Sequence, residues 1–181
     1  IDTFGELFGF SESIKEYVEF SGCVNLMKGA IEMTDIVSTV SPTYSEEIKD
    51  AYYAHGLETI MNRNAHKLSG ILNGIDIDYY NPETDKYLFK NYSIDDLSGK
   101  AVCKRELQKM LGLPEKDVPI IAMISRLVAH KGLELVKTVA EDILHEDLQF
   151  VLLGTGDYAY EEYFRDLGNR YEGKASVNIA F

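Results

Sequence analysis

At 181 residues and 45% apolar composition, the chain is long and hydrophobic enough for a real core, either as one domain or as two partial ones. Lys and Arg number 18 against 30 Asp and Glu, so the net charge of −12 disfavours nucleic acid or an anionic membrane as partner; a small anion, which senses a local cation cluster, is not excluded. Cys23 and Cys103 lie far apart without a C-x-x-C, no histidine has a partner at metal-ligand spacing, and no apolar run reaches bilayer length, so reduced thiols, no metal and a cytoplasmic protein are expected.

Ser13 and Glu16 form an S-x-x-E capping box that predicts a helix over residues 12–20, with Ile14, Tyr17 and Val18 on its apolar face. Gly22 breaks the pattern. A second helix, over 24–33, carries Leu26, Met27, Ala30, Ile31 and Met33 as core, and the β-branched run Ile36–Val40 reads as a buried strand. Either Ser41 or Thr43 can cap the helix that Pro42 opens. A strand at Ile71-Leu72 is then expected to run into Asn73-Gly74, a dipeptide suited to a turn.

From Asn81-Pro82 to about Asp96 the chain is polar and turn-rich, a linker. Next comes a helix over 98–111, with Ala101, Leu107, Met110 and Leu111 inward and Gly112 as its stop. The unbroken run Ile120–Ile124 predicts a strand buried on both faces. It leads through Ser125-Arg126-Leu127 and Lys131-Gly132 into a helix whose apolar positions are Leu133, Val136, Val139, Ala140 and Ile143. Strand-to-helix junctions of this kind bind ligands in open α/β sheets, and a free helix start favours an anion. Arg126 supplies a planar, permanently charged fork and Lys131 a mobile point charge, the two cations a diphosphate would need. Beyond them a strand over 148–153 ends in Gly154-Thr155-Gly156-Asp157, with Asp157 as a helix cap. A helix over 159–171 and a strand over 177–181 complete a βαβαβ run. G-x-G alone is a weak signal, and the full dinucleotide fingerprint is absent, which leaves a nicotinamide-dependent dehydrogenase poorly supported.

Several stretches resemble retaining nucleotide-sugar glycosyltransferases of the GT-B fold, and in particular bacterial glycogen synthases and plant starch synthases. S-R-L-V-A-H-K-G is similar to their S-R-L-x-x-x-K-G motif, with His130 where glutamine is often found; T-V-S-P-T-Y-S-E-E-I and K-L-S-G-I-L-N-G-I-D are more specific matches, and V-L-L-G-T-G-D a further one. The resemblance implies an α/β protein with parallel sheets in three αβα layers, made of parts of two Rossmann-like domains. Residues 1–76 would end the first, acceptor-side domain, 77–97 form the hinge and linker, and 98–181 begin the nucleotide-sugar donor domain. It further implies glucose transfer from ADP-glucose to the non-reducing end of an α-1,4-glucan, without cofactor or metal. Arg126 and Lys131 would be catalytic, stabilising the leaving diphosphate, and Asn73, Gly154 and Gly156 would bind substrate. Asp76 would organise the hinge, and Tyr80, where the family often has tryptophan, would serve as an aromatic plug.

Because the chain lacks an initiator Met and stops at Ala180-Phe181 within a predicted strand, a piece of a longer protein is expected, inactive alone and prone to self-association at its cut edges. Two alternatives stay open: a related GT-B transferase using a UDP- or GDP-sugar, or a noncatalytic piece that matters only through packing.

Overall fold

The computed structural model describes residues 4–9 and 11–180, which fall into two compact units, Ile1–Asp76 and Ile77–Phe181. In the first, α1 (Phe4–Phe8) and a 3-10 turn lead to α2 (Lys15–Val18), which stops early. The capping box does not form, since Ile14 holds the N-cap position without a side-chain bond. Instead of a helix reaching residue 20, β1 (Glu19–Phe20) and β2 (Cys23–Val24) make an antiparallel hairpin. Ser21 and Gly22 decide this. Both have positive φ, 51° and 80°, the geometry of a two-residue hairpin turn.

Asn25 caps α3 (Leu26–Met33) by accepting from the Lys28 N–H at 3.0 Å. The buried Lys28 ammonium donates to the carbonyls of Glu16 and Glu19 at the end of α2, and Lys67 does the same for Glu32 and Thr34 at the end of α3. Of the apolar row predicted as core, Ile31 alone is buried; Leu26, Met27, Ala30 and Met33 are exposed. Ile36 and Val40, flanking β3 (Val37–Thr39), are exposed too, against the expectation of a buried strand. The cause is the small sheet. Among the described residues β3 pairs only with β4 (Leu68–Gly70), in parallel, and the cluster of Ile31, Leu57 and Ile60 covers one part of that surface.

Between the two strands run α4 (Pro42–Glu47), α5 (Ala51–Ala54) and α6 (Glu58–Arg63). Ser41 rather than Thr43 caps α4, its hydroxyl accepting from the Tyr44 N–H at 3.2 Å. The strand predicted at Ile71-Leu72 lies three residues earlier, and Ile71 and Leu72 are exposed. Gly70 explains the register: a Cβ there would meet the Ser41 carbonyl oxygen at 2.1 Å, so only glycine lets β4 draw level with the start of α4.

The second unit begins with turns held by side chains. Asn81 and Asp85 accept from N–H groups two residues on, and the Asn91 amide donates to the carbonyls of Pro82 and Asp85. Tyr80, expected as a plug, is exposed and meets Tyr79 edge-to-face with ring centroids 4.9 Å apart. Then follow α7 (Ser98–Met110), β5 (Ile120–Ile124), α8 (Leu133–His145), β6 (Gln149–Leu153), α9 (Tyr158–Arg170) and β7 (Ala175–Asn178). The three strands form one parallel sheet in the order β5-β6-β7. The strand predicted over 177–181 thus lies earlier, and Phe181 is outside the described residues.

β6 is central and buried from Gln149 to Leu152, and Leu127, Leu133, Phe164 and Leu167 join Leu152 in one core cluster with no exposure. Among the described residues β5 is paired on one side only. Ile121 and Ile124 are therefore exposed, contrary to the expectation of a strand covered on both faces. On α8 the buried positions are Leu133, Ala140 and Leu144; Val136 and Ile143 are half-buried, and Val139 is exposed. On α7, Ala101 and Met110 are exposed, Leu107 and Leu111 half-buried, and the buried side chain is Gln108. Its amide donates to Gln149 Oε1 at 2.7 Å, while Gln149 donates to the Pro114 carbonyl at 2.8 Å, so an amide pair fastens α7 to β6. Parallel pairing in both units is the α/β class that the sequence predicts.

Candidate functional site

In the second unit a cleft of about 300 Å³ opens at the carboxyl ends of the parallel strands. Its walls are Ile124, Ser125 and Arg126 after β5, Leu153, Gly154 and Thr155 at the end of β6, and Ala180 after β7. The two loops are zipped together beyond the regular ladder. Ser125 N donates to Leu153 O, Leu127 N to Thr155 O at 2.9 Å and Asp157 N to Leu127 O at 2.8 Å, and Leu127 bridges Gly156 in parallel. Leu127 is fully buried, which points its neighbour Arg126 outward into the cleft by the alternation of extended chain. Among the described residues the Arg126 guanidinium forms no ion pair.

Lys131 closes a 3-10 turn, Ala129–Lys131, after which Gly132 takes φ 73° and α8 begins. It is exposed, without an ion pair among the described residues, and beside a helix start that no side chain caps. It is not a wall of the cleft that Arg126 lines. Arg126 and Gly154 are thus brought together, Lys131 stands further along the same loop, and Gly156 lies behind it against Leu127.

The two glycines have a structural reason of their own. A Cβ on Gly154 would lie 2.0 Å from the Ser125 carbonyl oxygen, and one on Gly156 2.3 Å from that of Leu127. What approaches them is the neighbouring loop. Nor do their N–H groups point at a ligand: Gly154 N donates to Asn178 O, and Gly156 N to Glu161 Oε1 at 2.8 Å. Asp157 occupies the N-cap position of α9 but makes no side-chain cap bond there.

Sequence reading missed Thr155 and Glu161. Thr155 lines the cleft and donates its hydroxyl to Glu161 Oε1 at 2.6 Å. The signal was a carboxylate in the first turn of a helix directly after a glycine-rich turn, where acids are favoured. The Thr155 hydroxyl first, and the Gly156 N–H second, hold the Glu161 carboxyl below its ordinary value of 4.5, against the opposing effect of burial and with help from Arg165. A depressed carboxylate stabilises the fold fully above the unfolded value and ceases to as pH falls through the lowered one. Glu161→Gln is therefore expected to unfold at lower urea than the parent chain at pH 7, with the gap narrowing as pH falls below about 4.5; a gap that widens in acid would contradict this.

Asn73 belongs to the first unit, where residues 71–76 are irregular and exposed. Asn73-Gly74 is not a turn, and Gly74 has no positive φ. The first unit also has an apolar hollow of about 510 Å³ lined by Ile31, Val37, Tyr44, Leu57 and Met61 among others, with no lysine or arginine in its walls. Arg63 is engaged with Glu32. Among the described residues no cluster of three or more His, Cys, Asp or Glu could hold a metal ion, and no helix is long and apolar enough to cross a membrane.

A parallel α/β unit with a cleft at its strand ends fits the GT-B fold, and the comparisons agree on the fold. The family model for the starch synthase catalytic domain matches residues 2–63. The glycogen synthase of Geobacillus thermodenitrificans is 47% identical over 167 residues, covering 92% of this chain and 34% of that protein. That of Finegoldia magna is 48% identical over 168 residues, covering 92% and 35%. The solved catalytic domain of starch synthase IV from Arabidopsis thaliana, bound to ADP and acarbose, superposes with a TM-score of 0.81 at 37% identity, over 87% of this chain and 33% of that one. Over 92% of its length the chain is thus similar to glycogen synthases, and over 87% of it the fold is that of a starch synthase catalytic domain. It spans about a third of the length of the curated relatives it matches.

Proposed function

We propose that the protein to which this chain corresponds in part is a cytoplasmic, ADP-glucose-dependent glycogen or starch synthase, which adds glucose with retention to the non-reducing end of an α-1,4-glucan. The second unit would hold the donor diphosphate. The observation that carries this is Arg126: a guanidinium without a carboxylate partner among the described residues, in a cleft at the strand ends, in a chain 47% identical to glycogen synthases.

The chemistry follows from charge. As the bond between glucose and phosphate breaks, negative charge grows on the departing diphosphate. The Arg126 fork can take two of its oxygens, and Lys131 at the head of α8 can follow the developing charge, so neutralisation needs no metal in this reading. Asn73 would hydrogen-bond sugar hydroxyls. Gly154 and Gly156 would contribute by letting the two loops close on each other and so shape the cleft. The ADP in the Arabidopsis neighbour favours an adenine donor over the UDP- and GDP-sugars of related transferases.

Titration of the 181-residue chain with ADP, followed at backbone amides by NMR, tests the reading. Shifts are expected to concentrate at residues 124–133 and 153–156, with UDP and GDP binding more weakly. Shifts confined to the first unit, or none at millimolar ADP, would remove the donor site; equal binding of all three would favour the related transferase.

A further inference from the structure

Glu161 stands in the first turn of α9, yet neither hydrogen bond of its Oε1 caps that helix through Asp157: one goes to the Thr155 hydroxyl and one to the Gly156 N–H. Two consequences follow. The N–H groups of Gly154, Gly156 and Asp157 are all consumed within the fold, by Asn178 O, Glu161 and Leu127 O, so at these positions the glycine-rich turn offers no amide cradle to a phosphate. The Thr155 hydroxyl has one proton, and that proton is committed to Glu161 at 2.6 Å. Toward a ligand its oxygen can then only accept.

Thr155 and Arg126 both line the cleft, and they present opposite demands. A guanidinium donates and never accepts, whereas a hydroxyl backed by a carboxylate accepts and repels a phosphate oxygen. A ligand that satisfies both has an anionic part and, apart from it, a hydroxyl donor. Nucleotide sugars have both, and inorganic pyrophosphate has only the first.

We propose that Glu161, acting through Thr155, sets the direction in which a nucleotide sugar lies in this cleft, with the diphosphate on the Arg126 side and a ribose or sugar hydroxyl on Thr155. Thr155 is the specificity-determining residue and Glu161 the positioning residue behind it. The proposal rests on the donor-site reading above and goes further in assigning the ligand's orientation.

Calorimetric titration of the 181-residue chain with ADP-glucose and, separately, with pyrophosphate tests it. Thr155→Val removes the acceptor at nearly constant volume and is expected to weaken ADP-glucose roughly tenfold, the worth of one hydrogen bond, with no loss for pyrophosphate. Glu161→Ala should show the same split. Glu161→Gln, which keeps an acceptor oxygen for the Thr155 proton, should restore most of the ADP-glucose affinity. Equal losses for both ligands, no loss for either, or no rescue by glutamine would overturn the proposal. Arg126→Ala serves as the separate control: if it leaves pyrophosphate binding unchanged, the donor-site reading fails instead.

Discussion

Gly154→Ala is expected to destabilise the second unit by about 3 kcal/mol or more, the upper end of what overpacking costs. The added methyl would stand 2.0 Å from the Ser125 carbonyl oxygen and 3.5 Å from a Leu127 methyl, and no flexible side-chain end is available to give way. Relief would need the Ser125–Leu127 segment to move off the end of β6. That breaks the bonds of Ser125 N to Leu153 O and Leu127 N to Thr155 O and draws fully buried Leu127 out of the core. Hydrogen exchange at the β6 amides reads the effect directly, since those amides sit at the centre of the sheet. Gly74→Ala is the control. A Cβ there meets nothing within 4 Å and its φ is not left-handed, so exchange should not change. A Gly154→Ala chain within about 0.5 kcal/mol of the parent would show that the two loops are not the rigid pair described here.

How much of this was legible beforehand varies with how local the cause is. The parallel run from β5 to α9 was readable because β5 and β6 are compact apolar blocks and α8 and α9 have a three-to-four periodicity that a buried face enforces, whereas the half-polar β7, Ala175–Asn178, lies earlier than its apolar residues predict. Its edge was not readable. Ile121 and Ile124 look as buried as Val151 and Leu152 in the sequence, and only strand order separates a strand with one neighbour from a strand with two. In the first unit, two residues overrode a capping signal. Ser21-Gly22 stabilised a hairpin where Ser13 and Glu16 predicted a helix, because a tight turn with two positive φ values competes well against one extra helical turn.

The amide pair Gln108 and Gln149 defeated hydrophobic periodicity for a different reason. Burial there is made tolerable by partners 41 residues apart, which no local pattern records. At the candidate site, the cations stood out by residue type, and the two glycines by their spacing. What the glycines do was not legible: their room is taken by a neighbouring loop, which appears only once β5 and β6 are paired. Thr155 and Glu161 were passed over because a threonine and a glutamate near a helix start are common, and their hydrogen bond gives them meaning only in three dimensions.

The second large effect concerns the cations themselves. Arg126→Ala combined with Lys131→Ala is expected to weaken ADP binding on the order of a hundredfold or more, since charge-assisted hydrogen bonds contribute about 1.5–3 kcal/mol each and tenfold corresponds to about 1.4 kcal/mol. The fold should tolerate the change. Both residues are exposed, and neither takes part in an ion pair among the described residues, so truncation leaves no orphaned carboxylate behind. Arg126→Ala should account for the larger share, because it lines the cleft whereas Lys131 stands beyond it at the head of α8. Arg126→Lys should recover only part of the loss, because an ammonium cannot reproduce the planar two-pronged grip.

The most direct measurement is therefore a calorimetric titration of ADP into the parent 181-residue chain and into the Arg126→Ala/Lys131→Ala chain, with circular dichroism to show that both are folded. Binding by the parent, reduced on the order of a hundredfold in a folded double variant, is the result expected from a diphosphate held by these cations. Equal affinity of the two folded chains would contradict it.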